Sequence, residues 1–159
     1  MTQATMTGLD VRIERLRPMR VAWVRVVGRS PEPQAWTRLS AWARSAGLLD
    51  DPAAHPVFGF NNPPPVPSTP EYGYEFWVAI DPDTHPPEGI GVKEFEGGLY
   101  AVTSCRVGPD MPQSWKALLR WVHTSQHTWR RTSHELERVV NPLASPDDTG
   151  VDLCLPLED

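Results

Sequence analysis

The chain has 159 residues and only two cysteines, Cys105 and Cys154, far apart and outside any metal-ligand spacing. Neither a disulfide framework nor a cysteine-bound zinc is implied. Long apolar runs are missing too, and nothing approaches the roughly 20 residues of a membrane span. The opening MTQATMTG is polar and lacks the apolar stretch of a signal peptide. Basic charge is not in excess. With 15 basic and 20 acidic residues the net charge is −5, which argues against nucleic acid or an anionic membrane as partner. Lysine is scarce, two residues against thirteen arginines, an imbalance that by itself points to no function. No G-x-S-x-G elbow prepares a serine nucleophile, and no phosphate-cradling loop is present. His123 and His127 have the i, i+4 spacing of a helical metal pair, but the acid of H-E-x-x-H and a motif-placed third ligand are absent. No metal and no cofactor are expected. These absences describe a soluble, cytoplasmic protein.

What the chain does have is tryptophan, seven in all, and a repeat. PQAWTRLSAW begins at Pro33 and PQSWKALLRW at Pro112, an offset of 79, so Trp36, Leu39 and Trp42 are answered by Trp115, Leu118 and Trp121. At the same offset HPVFGFNNP (from His55) faces HELERVVNP (from His134). RVAWVRVVG, ending at Gly28, faces LYAVTSCRVG, ending at Gly108, and GYEFWV (from Gly73) faces GVDLCL (from Gly150). Four matches in one order at a nearly constant offset indicate an internal duplication of two supersecondary units.

Each half follows the same plan. Val11–Leu16 and Val21–Val27 alternate as strands around an Arg17-Pro18 turn. Ser30 to Pro33 starts a helix running to about Ala46, stopped by Gly47, with Trp36, Leu39, Ala43 and Ala46 as its apolar stripe, widened by Trp42. Val57–Asn61 is a strand, NPPPVPSTP a loop, and Tyr72–Ile80 a strand apolar on both sides. In the second half Gly91–Phe95 and Leu99–Val107 are expected to form a hairpin turning at Gly97-Gly98. A helix from Pro112 to about His127 follows, then strands at Leu136–Val140 and Val151–Leu155. The expectation is one domain over residues 1–159, with a disordered lead (1–10), a first half (11–80), a linker (81–90) and a second half (91–157). The fold class is α+β: two pseudo-symmetric ββαββ halves forming an antiparallel sheet, two helices on one face and a ligand groove at the junction.

In this order and spacing the segments resemble the GyrI-like effector-binding domain, which occurs alone and as the ligand-binding part of multidrug-sensing regulators such as BmrR. RPMRVAWVRVVG resembles the family's opening strand pair. PVFGFNNP resembles the entry to its variable loop, and YGYEFWV its Tyr-acid-aromatic strand. GGLYAVTSCRVG resembles its G-x-Y-A-V…G strand, LERVV its F-E-x-Y segment, and VDLCLPL its closing strand. The resemblance spans residues 10 to 157. It implies a ligand-binding fold of two halves around a pocket, with Glu137 as the pocket acid. Two departures stand out: Val139 replaces the family's Tyr two residues after that Glu, and no DNA-binding helices precede the first strand, so a stand-alone member is expected rather than a transcription factor.

The candidate site follows from these segments. By alternation Glu135, Glu137 and Val139 share one face of their strand, and at offset 79 the counterpart of Glu137 is Phe58. A carboxylate among aromatic rings favours a cationic ligand or a positioned donor. The plainer alternative is a surface Glu137 bridged to Arg130, Arg131 or Arg138. Glu75 and Trp77 lie on one face of Tyr72–Ile80, with Tyr72, Tyr74 and Phe76 on the other; which face lines the pocket stays open. Glu75 either closes a structural hydrogen-bond network or joins Glu137, and Asp152 is its symmetry counterpart. Trp23 and Trp77 have no tryptophan partner in the other half, which makes them the better ligand contacts, while Trp36 and Trp115 pack as core. His55 and His134 suit turn or capping roles.

The expected function is capture of a hydrophobic, aromatic and often cationic small molecule by a monomer or weak homodimer, without nucleic acid or membrane. Glu137, Glu75, Trp77, Tyr72, Tyr74, Phe58, Trp23 and Val139 would line the site. The resemblance also implies an enzymatic alternative: hydrolysis of cyclopropane-bearing alkylating compounds, with Glu137, aided by Glu75, activating water and Tyr72 or Tyr74 donating to the developing charge. A gyrase-inhibitor-like protein partner is the third reading.

Overall fold

A computed structural model describes residues 9–144 and 148–159. The lead expected over residues 1–10 falls mostly on residues 1–8, outside the described residues. The elements in chain order are β1 (Arg12–Leu16), β2 (Met19–Gly28), α1 (Pro31–Ser45), a short 3-10 turn (Leu48–Asp50), β3 (Val57–Asn61), β4 (Tyr72–Ile80), β5 (Gly91–Phe95), β6 (Gly98–Arg106), α2 (Met111–Thr124), β7 (Leu136–Val139) and β8 (Gly150–Leu157). The α+β class read from the sequence holds, with antiparallel strands and two long helices. Among the described residues no helix is long and apolar enough to cross a membrane.

The chain divides into two compact units, Met19–Phe95 and, joined together, the segment ending at Pro18 and Glu96–Asp159. In the first, the strands lie in the order β5-β2-β4-β3. In the second they lie in the order β1-β6-β8-β7. The two orders are the same, with β1 taking in one unit the place β5 takes in the other. The hairpin expected at Gly97-Gly98 is therefore not formed: β5 pairs with β2, and β6 pairs with β1. Both links are two residues long, Arg17-Pro18 and Glu96-Gly97, and short links look like hairpin turns in sequence. Here they are passes from one unit to the other. Gly97 has φ 74°, and its missing side chain leaves room for the backbone of Leu16 and Pro18 packed against it.

Each helix rests on the two central strands of its own unit, α1 on β2 and β4, α2 on β6 and β8. In α1, Pro31 occupies the first turn, Glu32 and Arg44 suit the two ends of the dipole, and Gly47 at φ 75° terminates the turn that follows. Its buried line is Pro31, Ala35, Leu39 and Ala43, flanked by half-buried Trp36 and Trp42; Ala46 lies beyond the helix and is exposed. The second unit buries Leu118 and Val122 of α2 against Ala101, Val151, Leu153, Leu155 and Leu157. Helix α2 ends at Thr124, three residues short of the expected stop, where the Ser125 hydroxyl donates to Val122 O (2.7 Å) and accepts from His127 N (3.0 Å). His123 and His127 thus do not share a helix, and no metal-binding group of three or more His, Cys, Asp or Glu occurs among the described residues.

Strand register corrects one equivalence. Phe58 faces Trp77 across β3 and β4, whereas Leu136 faces Cys154 across β7 and β8. Gly73 and Gly150 match at an offset of 77, so Trp77 matches Cys154 and the counterpart of Phe58 is Leu136, not Glu137. Glu137 answers Gly59 instead. A one-residue slip turns every side chain to the other face, which is why this offset matters.

Candidate functional site

Strand β4 is flanked on both sides and presents two different surfaces. Phe76 meets Trp36 of α1, ring centroids 5.1 Å apart, so Phe76 and its alternates Tyr72 and Tyr74 face the helix. Glu75 and Trp77 face the other way. Cross-strand neighbours add to that side: Trp23 on β2 and Phe58 on β3 both stand opposite Trp77, and Phe60 stands opposite Glu75. Exposed Arg25 of β2 also stands opposite Glu75, its Nη1 donating to Asn62 O at 3.4 Å, and Gly91, Lys93 and Phe95 of β5 lie on the same side. The rings interlock as edge-on and tilted pairs, with centroid separations of 5.0 Å for Phe60–Trp77, 5.3 Å for Trp77–Phe95, 6.2 Å for Phe58–Phe95 and 6.5 Å for Phe58–Trp77.

Glu75 lies in the middle of this aromatic face and is 1% exposed. Such a carboxylate is tolerated only with donors, and it has three. Asn62 Nδ2 donates at 3.0 Å, Trp77 Nε1 at 2.6 Å, and the Lys93 ammonium forms an ion pair with it. Asn62 is held in turn by its own N–H, which donates to Gly73 O at 2.8 Å, while the Gly73 N–H donates to Pro63 O at 2.8 Å. The Lys93 nitrogen also stands over two indoles, 4.6 Å from the Trp23 ring centroid and 5.3 Å from that of Trp77. Trp23 reaches this position because residue 91 is glycine: a methyl group there would lie 2.5 Å from its indole nitrogen.

The remaining candidates are elsewhere. The Tyr72 hydroxyl donates to the Glu32 carboxylate on α1, 2.9 Å to each oxygen, and burial together with that carboxylate raises its pKa. The Tyr74 ring packs on Phe76 at 4.9 Å and covers Gly59. Glu137 and Val139 belong to the other unit. Glu137 is half-buried on the α2 side of β7 and accepts from Trp115 Nε1 at 3.2 Å. Neighbouring Glu135 is exposed as a residue, yet partial burial of its carboxyl and then the charge of Glu137 raise its pKa.

At the position answering Glu75, the second unit carries Asp152, also buried. It accepts from Ser104 Oγ (2.6 Å) and from Arg138 Nε and Nη2 (3.1 and 2.9 Å), with Arg12 at 3.6 Å. Arg138 also forks onto Glu14, 3.1 Å to each oxygen. The acid recurs but the rings do not. By register the counterparts of Trp23, Trp77, Phe58, Phe60 and Phe95 are Val102, Cys154, Leu136, Arg138 and Leu16. The fold can therefore be built without those five rings.

The sequence matches the family described as the GyrI-like small molecule binding domain over residues 9–158. The chain belongs to that family. Among solved structures, this GyrI-like chain is similar to the C-terminal domain of EcmrR, at 10% identity and TM-score 0.66, covering 95% of this chain and 98% of that one. It is similar to SAV2435 bound to tetraphenylphosphonium, at 12% identity and TM-score 0.58, covering 94% of each chain. A protein from Listeria innocua described as a hydrolase matches at 13% identity and TM-score 0.62, covering 94% and 92%. At such identities these three share the fold with the GyrI-like chain. No curated protein sequence matches it.

Of the eight side chains singled out from sequence, Glu75, Trp77, Phe58 and Trp23 come together on one face; Tyr72 and Tyr74 take the opposite face, and Glu137 and Val139 the other unit. Sequence reasoning missed Asn62, Phe60, Phe95 and Lys93. Phe60 alternates with Phe58 and was there to be read. Lys93 and Phe95 also alternate, but the expected β5–β6 hairpin directed them away from β4.

Proposed function

We propose that this GyrI-like domain binds a hydrophobic, aromatic small molecule against the face formed by Trp23, Phe58, Glu75 and Trp77. One observation carries the reading: five rings surround a buried acid in one unit, while the duplicate unit keeps the acid and replaces the rings with Val102, Cys154, Leu136, Arg138 and Leu16. Rings that the fold does not require are the ones available for recognition. The carboxylate anchors Lys93 beside the rings, and Trp23, half-buried on β2, is the ring a ligand meets first. Triphenylphosphine oxide, an uncharged three-ring probe, should quench tryptophan fluorescence saturably, and Trp23→Phe should remove most of the signal and weaken binding about tenfold, or ~1.4 kcal/mol. Saturable quenching unchanged in Trp23→Phe would place the ligand elsewhere.

Glu137 favours a second reading, hydrolysis of a cyclopropane-bearing alkylating compound. Its carboxylate is half-buried on β7 beside the Trp115 indole, whose Nε1 donates to it at 3.2 Å, and a carboxylate held in this way can act as a general base toward water. Glu75, with three donors already on it, suits the role of base less well. Incubation with such an alkylator should yield the ring-opened, water-added product beyond one equivalent, with Glu137→Gln lowering the rate about 10²–10⁴-fold. Unchanged compound at proven occupancy would exclude hydrolysis of that substrate.

A further inference from the structure

The accessible charges on the aromatic face are cations, Arg25 and Lys93, and of these Lys93 is the one paired with the acid. Glu75 is 1% exposed, whereas the side chain of Lys93 is 37% exposed. Its ammonium caps the carboxylate and lies over Trp23 and Trp77 at 4.6 and 5.3 Å from their centroids. An acid flanked by two indoles is what a hydrophobic cation would seek, and this chain fills that place with a cation of its own. An ammonium has three N–H donors and Glu75 takes one, so the group that Lys93 turns to a ligand is a donor.

We propose that Lys93 sets the charge selectivity of this face: the site takes an aromatic molecule carrying a hydrogen-bond acceptor, and Lys93 excludes hydrophobic cations by occupying their position at Glu75. The inference rests on the binding reading given above. Its physical basis is competition with a tethered partner. A cation on the chain is present at an effective concentration of about millimolar or more. A free cation then binds only to the fraction of molecules in which Lys93 has swung away, and its apparent affinity falls by that fraction. An acceptor-bearing neutral ligand needs no such opening. The unit's architecture supports the arrangement, because β5 pairs with β2 alone among the described strands of the unit and Lys93 reaches over β2 to the acid from the sheet edge. The duplicate shows that the place is not a fixed structural lysine: Glu14 stands at the position answering Lys93, and the cations on Asp152 come from Arg138 and Arg12.

The test compares triphenylphosphine oxide with tetraphenylphosphonium, similar in ring content and opposite in character, by fluorescence titration of the whole chain. The wild-type protein should prefer the oxide. Lys93→Met should bind the cation about 10–100-fold more tightly, by removal of the tethered competitor, with the oxide unchanged or weaker. Equal cation affinity in wild type and a folded Lys93→Met overturns the proposal. Removing one partner of a buried pair can unfold a protein, while replacing both is usually tolerated, so Glu75→Gln/Lys93→Met is measured as well. It should bind the two probes alike, and a double variant that keeps the wild-type preference overturns the proposal independently. The chain's only other lysine, exposed Lys116, supplies an internal control for reductive methylation. Lys93 should react more slowly than Lys116, and equal rates would deny the cage its occupant. If neither probe binds wild type or either variant while the proteins remain folded, the binding reading itself fails. If the oxide binds but the cation is indifferent to residue 93, only the assignment of Lys93 fails.

Discussion

Glu75 and Asp152 occupy the same position in two copies of one unit, and their neighbours answer the same demand differently. A buried carboxylate needs donors at its oxygens. Glu75 has an amide, an indole and an ammonium; Asp152 has a hydroxyl and the arginines Arg138 and Arg12. Around Asp152 the network extends to Glu14, whose pKa is lowered chiefly by its hydrogen bonds from Arg138, against the opposing effect of burial. The sign follows from linkage. A carboxyl whose folded-state pKa lies below its unfolded value adds stability at pH above that unfolded value and loses it as pH falls through the folded one. Thermal stability should therefore decline below the ordinary value of 4.5 for this group. Glu14→Gln should cost about 1 kcal/mol at neutral pH, a charge-assisted contact discounted for partial exposure, and should flatten the acid limb of the melting profile. An unchanged acid limb in that variant would show that other groups drive the decline. The Cys154 thiol illustrates the opposite direction: complete burial pushes its pKa up to about 12, so it is an inert apolar filler at the position where the other unit has Trp77.

At the scale of elements, most of the chain was legible. Strands Val57–Asn61, Tyr72–Ile80 and Gly91–Phe95 lie where alternation and their bounding turn residues predict them, because these signals are local. Helix α1 ends close to its glycine stop, whereas α2 ends early because Ser125 closes the last turn with its own hydroxyl, a bond the apolar stripe does not foretell. Strand pairing was less legible. Two-residue links at Arg17-Pro18 and Glu96-Gly97 carry the residues of tight turns, and nothing local distinguishes a hairpin from a passage between units. The repeat offset also slips, from 79 in the helices to 77 in the closing strands. That slip is what turned Glu137, within its own unit, to the side of α2 and Trp115 and away from the side of Asp152.

For the whole molecule, the exchange of β1 and β5 has a direct consequence. The segment 19–95 contains every strand of its unit, with α1 packed on β2 and β4. The segment 11–80, which is the first half of the repeat, lacks β5 and ends up carrying β1, whose pairing partner β6 lies outside it. Expressed separately, 19–95 should melt cooperatively, and 11–80 should show a broad, low-temperature transition. Both are small enough for one strand to matter. Circular dichroism melts measure this, and a cooperative 11–80 beside a non-cooperative 19–95 would reverse the assignment of units.

Composition excluded a membrane-spanning helix and a disulfide scaffold, and periodicity placed the strands and helices, because burial patterns and turn chemistry are written in neighbouring residues. Order and spacing of segments likewise pointed to the family. The site was only half legible for the same reason. Alternation put Glu75 and Trp77 on one face, and the unmatched tryptophans marked the unit that carries the rings. Which strands lie side by side, and in which register, depends on the whole set of strands competing for partners, and a register shift of one residue moves a side chain to the opposite face. Lys93 stands against Glu75 only because β5 crosses to β2, and Glu137 turns to the α2 side of its own unit only because β7 pairs one residue away from where the repeat would set it. Those two placements were decided by tertiary structure.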